Sequence, residues 1–228
     1  MASRTIQYTA RDSVRYDGYL SKPDGDGPFP GILLITAIFG VDDEMKGLAD
    51  AWAADGFIVS VPDIFFRVLP GPVPVSEFET AISRMHDFDR DQGLKDIEDL
   101  IDDLKSRPEC NGKVGMLGFC FGGRYVHLAA ALLGIDAGAT FHGTAIGEEL
   151  GLTEQIYCPM SMHFGGVDEA VPLEEVDRIQ AAYDGKTNCE IAVYDGVGHN
   201  YAMPQKPGFD EAAANASRAA ALRTFQSM

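Results

Sequence analysis

Hydrophobic and polar positions repeat along this chain with two different periods. Short apolar runs, such as "GILLIT" at 31–36 and "FIVSVP" at 57–62, are typical of strands buried on both faces. Between such runs, apolar residues recur every three or four positions, which is typical of amphipathic helices. This alternation predicts an α/β fold in which a mostly parallel sheet is covered by helices on both faces.

The same patterns give approximate bounds for the elements. Helices are predicted over 43–54, 77–88, 91–106, 123–134, 173–183 and 209–226, the first of them capped by Asp42 or Asp43. Further strands are predicted in "KVGMLG", "GATFHG", "PMSMHFGG" and "EIAVYDG". Near the start, two alternating stretches around "ARDS" predict an N-terminal β-hairpin. A length of 228 residues without repeats or linkers fits one domain over 1–228.

Composition and charge exclude several classes of protein. The chain has 18 Lys and Arg against 35 Asp and Glu, a net charge of −17 that repels nucleic acid and anionic membranes. The first residues lack an apolar signal, and no stretch has the roughly 20 apolar residues needed to cross a bilayer. We therefore expect a cytoplasmic monomer that binds neither nucleic acid nor membranes.

Cys120 is the first candidate for chemistry. The four cysteines form no CxxC pair, which argues against a zinc or dithiol site. Cys120 lies in "LGFCFGGRYV", between a predicted strand and a predicted helix, with the spacing G-x-nucleophile-x-G of a sharp elbow. A helix N-terminus favours the reactive thiolate, and the amide of Phe121 would face a developing oxyanion. A dinucleotide-binding turn is a poor fit, because it would need glycine at position 120. An inert buried thiol stays an alternative.

A cysteine nucleophile needs a base and an acid from later strand ends. His199 follows the strand "EIAVY" and is the preferred base, with His142 at another strand end as its competitor. Asp168 follows the strand "PMSMHF" and is the preferred acid, with Glu169 and Asp195 as rivals. The remaining histidines lie inside predicted elements: His86, His127 and His163.

Four segments together resemble the dienelactone hydrolase family of α/β-hydrolases. They are "GFCFGG", "FGGVDEAVP", "GHNYA" and "ITAIFGVDDEMKGLADAWAADGFIVSVPDIFFR", and the likeness extends from about residue 10 to the end. The resemblance implies an α/β-hydrolase fold and a triad of Cys120 as nucleophile, His199 as general base and acid, and Asp168 orienting the imidazole. It also implies an oxyanion hole from the amides of Ile38 and Phe121.

The activity that this resemblance implies is hydrolysis of a small carboxylic ester or lactone. The thiolate attacks the carbonyl carbon, and water cleaves the resulting acyl-enzyme, so neither a metal nor an organic cofactor is expected.

This sequence departs from the family pattern at positions that affect the substrate. The family glutamate that helps to form the thiolate is replaced by Ala37, and its two substrate-binding arginines fall at Phe78 and Met203. Dienelactone itself is therefore not the expected substrate. We predict that Phe39, Phe78, His142 and Met203 line a site for a neutral or apolar group.

Other interpretations stay open from the sequence. Arg84 or Arg124 is a candidate to bind a substrate carboxylate. The loss of the glutamate at position 37 is also compatible with a non-catalytic small-molecule binding module. A reactive thiol is compatible with a redox sensor as well, although no second cysteine lies close to Cys120 in sequence.

Overall fold

The computed structural model describes residues 1–228, which form eight strands and six α-helices. The strands are β1 Ala2–Thr9, β2 Arg15–Lys22, β3 Phe29–Ile35, β4 Ile58–Pro62, β5 Cys110–Phe119, β6 Gly138–Phe141, β7 Met160–Gly165 and β8 Cys189–Tyr194. The helices are α1 Asp43–Ala54, α2 Phe78–His86, α3 Arg90–Ser106, α4 Gly122–Leu132, α5 Leu173–Ala182 and α6 Glu211–Gln226. Short 3₁₀ turns occupy Val75–Glu77, Ile146–Glu148 and Leu150–Gln155.

The eight strands form a sheet in the order β1-β2-β4-β3-β5-β6-β7-β8. The predicted hairpin is present, because β1 pairs with β2 antiparallel over its whole length, and β2 pairs antiparallel with β4. The pairs β3 with β4, β5 with β6, β6 with β7, and β7 with β8 are parallel. This topology confirms the predicted α/β fold with a mostly parallel sheet.

Internal contacts divide the chain into two compact units, residues 1–115 and 116–228, with the division inside β5. In the first unit, β4 is buried at every position and β3 from Gly31 onward, which explains their continuous apolar sequence. In the second unit, β6 and β7 are likewise buried throughout. A single domain over 1–228 stays a prediction.

Helix termini are where the observed bounds depart from the predicted ones. Asp42 caps α1 by accepting a hydrogen bond from the Met45 amide at 2.9 Å, and the predicted range 43–54 is confirmed. The last helix was predicted from 209 but begins at Glu211, because Asp210 is its cap and accepts from the Ala213 amide at 2.9 Å. None of the helices combines the length and the apolar character that crossing a membrane requires.

Two glycines of the first unit make a matched test of this packing. A Cβ at Gly18 in β2 would lie 2.5 Å from the Tyr8 ring and 2.7 Å from the Val61 carbonyl oxygen, whereas one at Gly47 in α1 meets nothing within 4 Å. We expect Gly18→Ala to lower the free energy of unfolding by about 2 kcal/mol through overpacking. Gly47→Ala should raise it by up to about 1 kcal/mol through helix propensity. Urea unfolding of both variants checks this, and equal effects would contradict the strand packing.

Candidate active site

Cys120 lies at the turn that connects β5 to α4. Its backbone φ is 51°, in the left-handed region that residues other than glycine seldom adopt. The turn is held from two sides: the Cys120 amide donates to the Phe141 carbonyl at 3.1 Å, and the Cys120 carbonyl accepts from the amides of Gly123 at 2.9 Å and Thr144 at 3.0 Å. The side chain is partly exposed at the start of the helix. This is the strained elbow expected from the glycine spacing.

The glycines around Cys120 are required by close backbone approach. A Cβ on Gly118 would lie 2.5 Å from the carbonyl oxygen of Gly122, and one on Gly123 would collide with the Cα of Gly143. Strand β5 and helix α4 therefore come closer to each other and to the next loop than any side chain would allow.

His199 and Asp168 lie together in the second unit, each in the loop that follows a strand. His199 Nδ1 donates to Asp168 Oδ2 at 2.8 Å. The Asp168 side chain is fully buried, and its Oδ1 accepts from the amides of Ala170 at 2.8 Å and Val171 at 3.1 Å. These two amides fix the orientation of the carboxylate, which in turn anchors Nδ1 of the imidazole ring.

The environment of His199 favours its charged form. Burial alone would lower the pKa of His199, but hydrogen bonds to Asp168 and Cys120 and the negative charges of both groups raise it to about 10. Because Nδ1 is bonded to Asp168, the interaction with the Cys120 sulfur involves the other ring nitrogen.

The alternatives for base and acid do not form a comparable pair. His142 is 1% exposed, and its Nδ1 is buried without a hydrogen-bond partner. Glu169 and Asp195 are both exposed. Of the residues considered from the sequence, the structure joins His199 to Asp168.

The other predicted site residues differ in exposure. In the first unit, the Phe39 and Phe78 rings are 6.4 Å apart and Phe78 is 51% exposed, whereas Ile38 is buried. In the second unit, Phe121 and Met203 are buried. Their roles as oxyanion donors or substrate contacts stay predictions.

Arg84 has a structural role that its helical sequence pattern does not reveal. Its guanidinium donates to the Ile38 carbonyl from Nε at 3.0 Å and from Nη2 at 2.6 Å, and Nη1 donates to the carbonyls of Leu69 at 3.0 Å and Gly71 at 2.7 Å. It also lies over the Phe65 ring at 4.2 Å. The side chain is 2% exposed, and its hydrogen bonds hold two loops of the first unit together.

Arg124 is engaged as well. It pairs with Glu148 at 3.0 Å and hydrogen bonds to Glu149 at 2.8 Å. Neither of the two arginines considered from the sequence is thus an unpaired cation.

No group of three or more His, Cys, Asp or Glu side chains has a metal-binding arrangement.

Comparison with known proteins identifies the family of this chain. A sequence profile described as the dienelactone hydrolase family matches residues 16–228. The chain belongs to the dienelactone hydrolase family. This confirms the resemblance drawn from the motifs and the predicted enzyme class, a hydrolase of carboxylic esters or lactones.

Individual relatives cover almost the whole chain. A carboxymethylenebutenolidase of Cupriavidus pinatubonensis is 29% identical, covering 97% of this chain and 96% of the relative. A carboxymethylenebutenolidase of Pseudomonas putida is also 29% identical, covering 94% of this chain and 92% of the relative. Among solved structures, a dienelactone hydrolase-like promiscuous phosphotriesterase from metagenomic libraries has a TM-score of 0.84 and 24% sequence identity, covering 99% of this chain and 98% of that structure. A dienelactone hydrolase of Anabaena variabilis has a TM-score of 0.74 and 18% identity, covering 99% of this chain and 97% of that structure. The solved structures support the predicted α/β-hydrolase fold.

Removing the Arg84 guanidinium should destabilise the chain. Arg84→Met leaves three carbonyl groups without their donor, so we expect the free energy of unfolding to fall by about 3 kcal/mol or more. Arg84→Lys should lower the free energy of unfolding by a smaller amount, since an ammonium group can replace only some of the guanidinium hydrogen bonds. The control is Arg223→Met, an exposed arginine paired with Glu190, which should cost under about 1 kcal/mol. Equal losses for Arg84→Met and the control in urea unfolding would contradict this assignment.

The raised pKa of His199 predicts a pH dependence of stability. The pKa is about 10 in the folded chain against an ordinary value of 6.5, so folding strengthens proton binding. The stabilisation is fully present below about pH 6.5 and is lost as pH rises towards 10. We expect the difference in unfolding free energy between the wild type and His199→Gln to shrink over this range. A difference that stays constant would contradict the charged pair.

Proposed function

We propose that this chain hydrolyses carboxylic esters or lactones of small neutral molecules with a triad of Cys120, His199 and Asp168, through an acyl-enzyme. The observation that carries the proposal is the hydrogen-bonded His199 and Asp168 pair, whose imidazole also interacts with a cysteine held at a strained elbow. Nucleophile, base and orienting acid in mutual hydrogen-bond reach are the arrangement that covalent acyl transfer needs.

In the first half of the reaction, the Cys120 thiolate attacks the carbonyl carbon and the carbonyl electron pair moves to oxygen. The Phe121 amide, at the start of α4, donates to this oxyanion. When the intermediate collapses, the bond to the leaving oxygen breaks, and that oxygen takes a proton from His199. The product is a thioester on Cys120; for a lactone, the released alcohol stays attached to the acyl group.

The second half returns the enzyme to its starting state. Neutral His199 takes a proton from water as the water oxygen attacks the thioester carbonyl. Collapse then breaks the carbon–sulfur bond, releasing the carboxylic acid and the Cys120 thiolate beside the His199 imidazolium. Asp168 accepts from Nδ1 throughout, so that the other nitrogen of His199 serves both proton transfers.

The preference for neutral substrates rests on the arginines. The family positions that bind a substrate carboxylate fall at Phe78 and Met203 here, and Arg84 and Arg124 are bonded elsewhere. A net charge of −17 further disfavours an anionic substrate at low ionic strength.

The first test is hydrolysis of p-nitrophenyl butyrate by the wild type and by variants of the triad. We expect a burst of nitrophenol in the wild type and a loss of kcat on the order of 10³-fold or more in Cys120→Ala. Asp168→Asn should lower kcat by about 10²- to 10⁴-fold, because the imidazole loses its orienting acceptor. Cys158→Ala, at a thiol outside the triad, is the matched control and should retain activity.

Mass spectrometry of the quenched reaction should place the butyryl group on Cys120. A wild type with no activity above background would reject the proposed function and leave binding or thiol oxidation as the alternatives. A Cys120→Ala variant as active as the wild type would reject the nucleophile.

The substrate class has a test of its own. p-Nitrophenyl butyrate and mono-p-nitrophenyl succinate have acyl chains of equal length, but only the succinate has a terminal carboxylate. We expect kcat/KM to favour the neutral ester by about tenfold or more, since Arg84 and Arg124 are bonded elsewhere and do not offset the cost of burying the carboxylate. The comparison is repeated at high salt to remove long-range repulsion. Equal values there would contradict the neutral-substrate proposal.

A further inference from the structure

The last residue of β6 and the loop that follows it contact two members of the proposed triad. Through its backbone this segment holds Cys120: the Phe141 carbonyl accepts from the Cys120 amide, and the Thr144 amide donates to the Cys120 carbonyl. Through a side chain it contacts His199, because the His142 and His199 rings pack edge to face with their centroids 4.6 Å apart. One five-residue segment, 141–145, therefore touches both nucleophile and base.

The backbone of His142 is held in an unusual conformation. Its φ is 42°, and Ala145 at the end of the same segment has a φ of 57°. The His142 amide donates to the carbonyl of His163 in β7 at 2.8 Å, which anchors the strained residue to the neighbouring strand. Non-glycine residues in this region concentrate at functional sites, where the surrounding structure maintains the strain.

The side chain of His142 faces protein on all sides. It is 1% exposed and packs edge-on to Tyr201 at 6.0 Å and against Phe119 at 6.0 Å. Its Nδ1 is buried without a hydrogen-bond partner. Burial, reinforced by the charge of His199, holds the pKa of His142 well below its usual value, so the ring is neutral. A neutral ring contacts the His199 imidazolium without adding a second positive charge.

We propose that His142 is a positioning residue whose ring braces the imidazole of His199 between Asp168 and Cys120. With Nδ1 tied to Asp168, His199 can still tilt about that hydrogen bond, and the His142 ring limits this movement on one face. The role rests on the proposed function, and it differs from the direct substrate contact expected of His142 from the sequence.

Titratable groups surround His142 on several elements, and a pH profile reports on them together. His199 and Tyr201 come from the loop after β8, His163 from β7 and Cys120 from the elbow. The test therefore compares variants at one position under identical conditions.

The deciding variant is His142→Asn, because asparagine tolerates a positive φ and removes the ring. With p-nitrophenyl butyrate we expect kcat to fall about 10- to 100-fold with KM nearly unchanged, since a loosened base affects the chemical step more than binding. His142→Phe replaces the ring with one of similar shape and should restore most of kcat. Ala145→Asn is the matched control: it has the same backbone conformation in the same segment and no ring contact with His199.

A second readout does not depend on turnover. Alkylation of Cys120 by iodoacetamide across pH follows the reactive thiolate and is sensitive to how His199 is placed beside the sulfur. We expect the alkylation profile of His142→Asn to move to higher pH, and that of Ala145→Asn to match the wild type. If His142→Phe does not fold, the comparison of His142→Asn with Ala145→Asn still tests the positioning role.

Three outcomes would overturn the positioning role while leaving the wild type active. One is an unchanged kcat and alkylation profile in His142→Asn. Another is a rise in KM alone, which would assign His142 to substrate contact. The third is an equal loss of kcat in Ala145→Asn, which would assign the effect to the segment as a whole. An inactive wild type would instead reject the proposed function itself.

Discussion

The left-handed backbone of Cys120 is the constraint on which the candidate site depends. A strand can turn into a helix within one residue only if the two elements come very close, and here no Cβ fits at Gly118 against the helix or at Gly123 against Gly143 of the next loop. The Phe141 carbonyl, which accepts from the Cys120 amide, and the Thr144 amide, which donates to the Cys120 carbonyl, then hold the strained residue in place. The cost of this conformation is offset by packing around it, and the result is a thiol at the start of a helix beside a histidine and a buried aspartate.

Electrostatics within the second unit follows from that placement. His199 is largely buried, which by itself disfavours its charge, yet two acidic partners outweigh the burial. His142 is buried without such partners and is held neutral. Two histidines in ring contact thus have opposite charge preferences, because one of them faces Asp168 and the other does not. Such a separation of pKa values is typical of sites that move protons.

Membership in the dienelactone hydrolase family coexists with changes at positions that bear on activation and specificity. Relatives 29% identical cover nearly the entire chain, so the scaffold is shared. Ala37, Phe78 and Met203 nevertheless remove the charged groups that the family pattern places there. The interaction of Cys120 with the raised-pKa imidazole of His199 is present although position 37 has no glutamate.

Local sequence was sufficient to determine the α/β fold, the hairpin and the candidate residues at the strand ends, because apolar periodicity and glycine spacing are properties of short segments. It placed Cys120, Asp168 and His199 at the loops where the structure has them. Only the tertiary structure shows which of the two candidate histidines, His199 or His142, bonds to a carboxylate, because that depends on a contact with a residue about 30 positions away. The same holds for Arg84: a helical arginine looks like a surface residue in sequence, and its role depends on carbonyl groups supplied by distant loops. Hydrogen bonds between residues far apart in the chain leave no periodic signal, so only the fold reveals them.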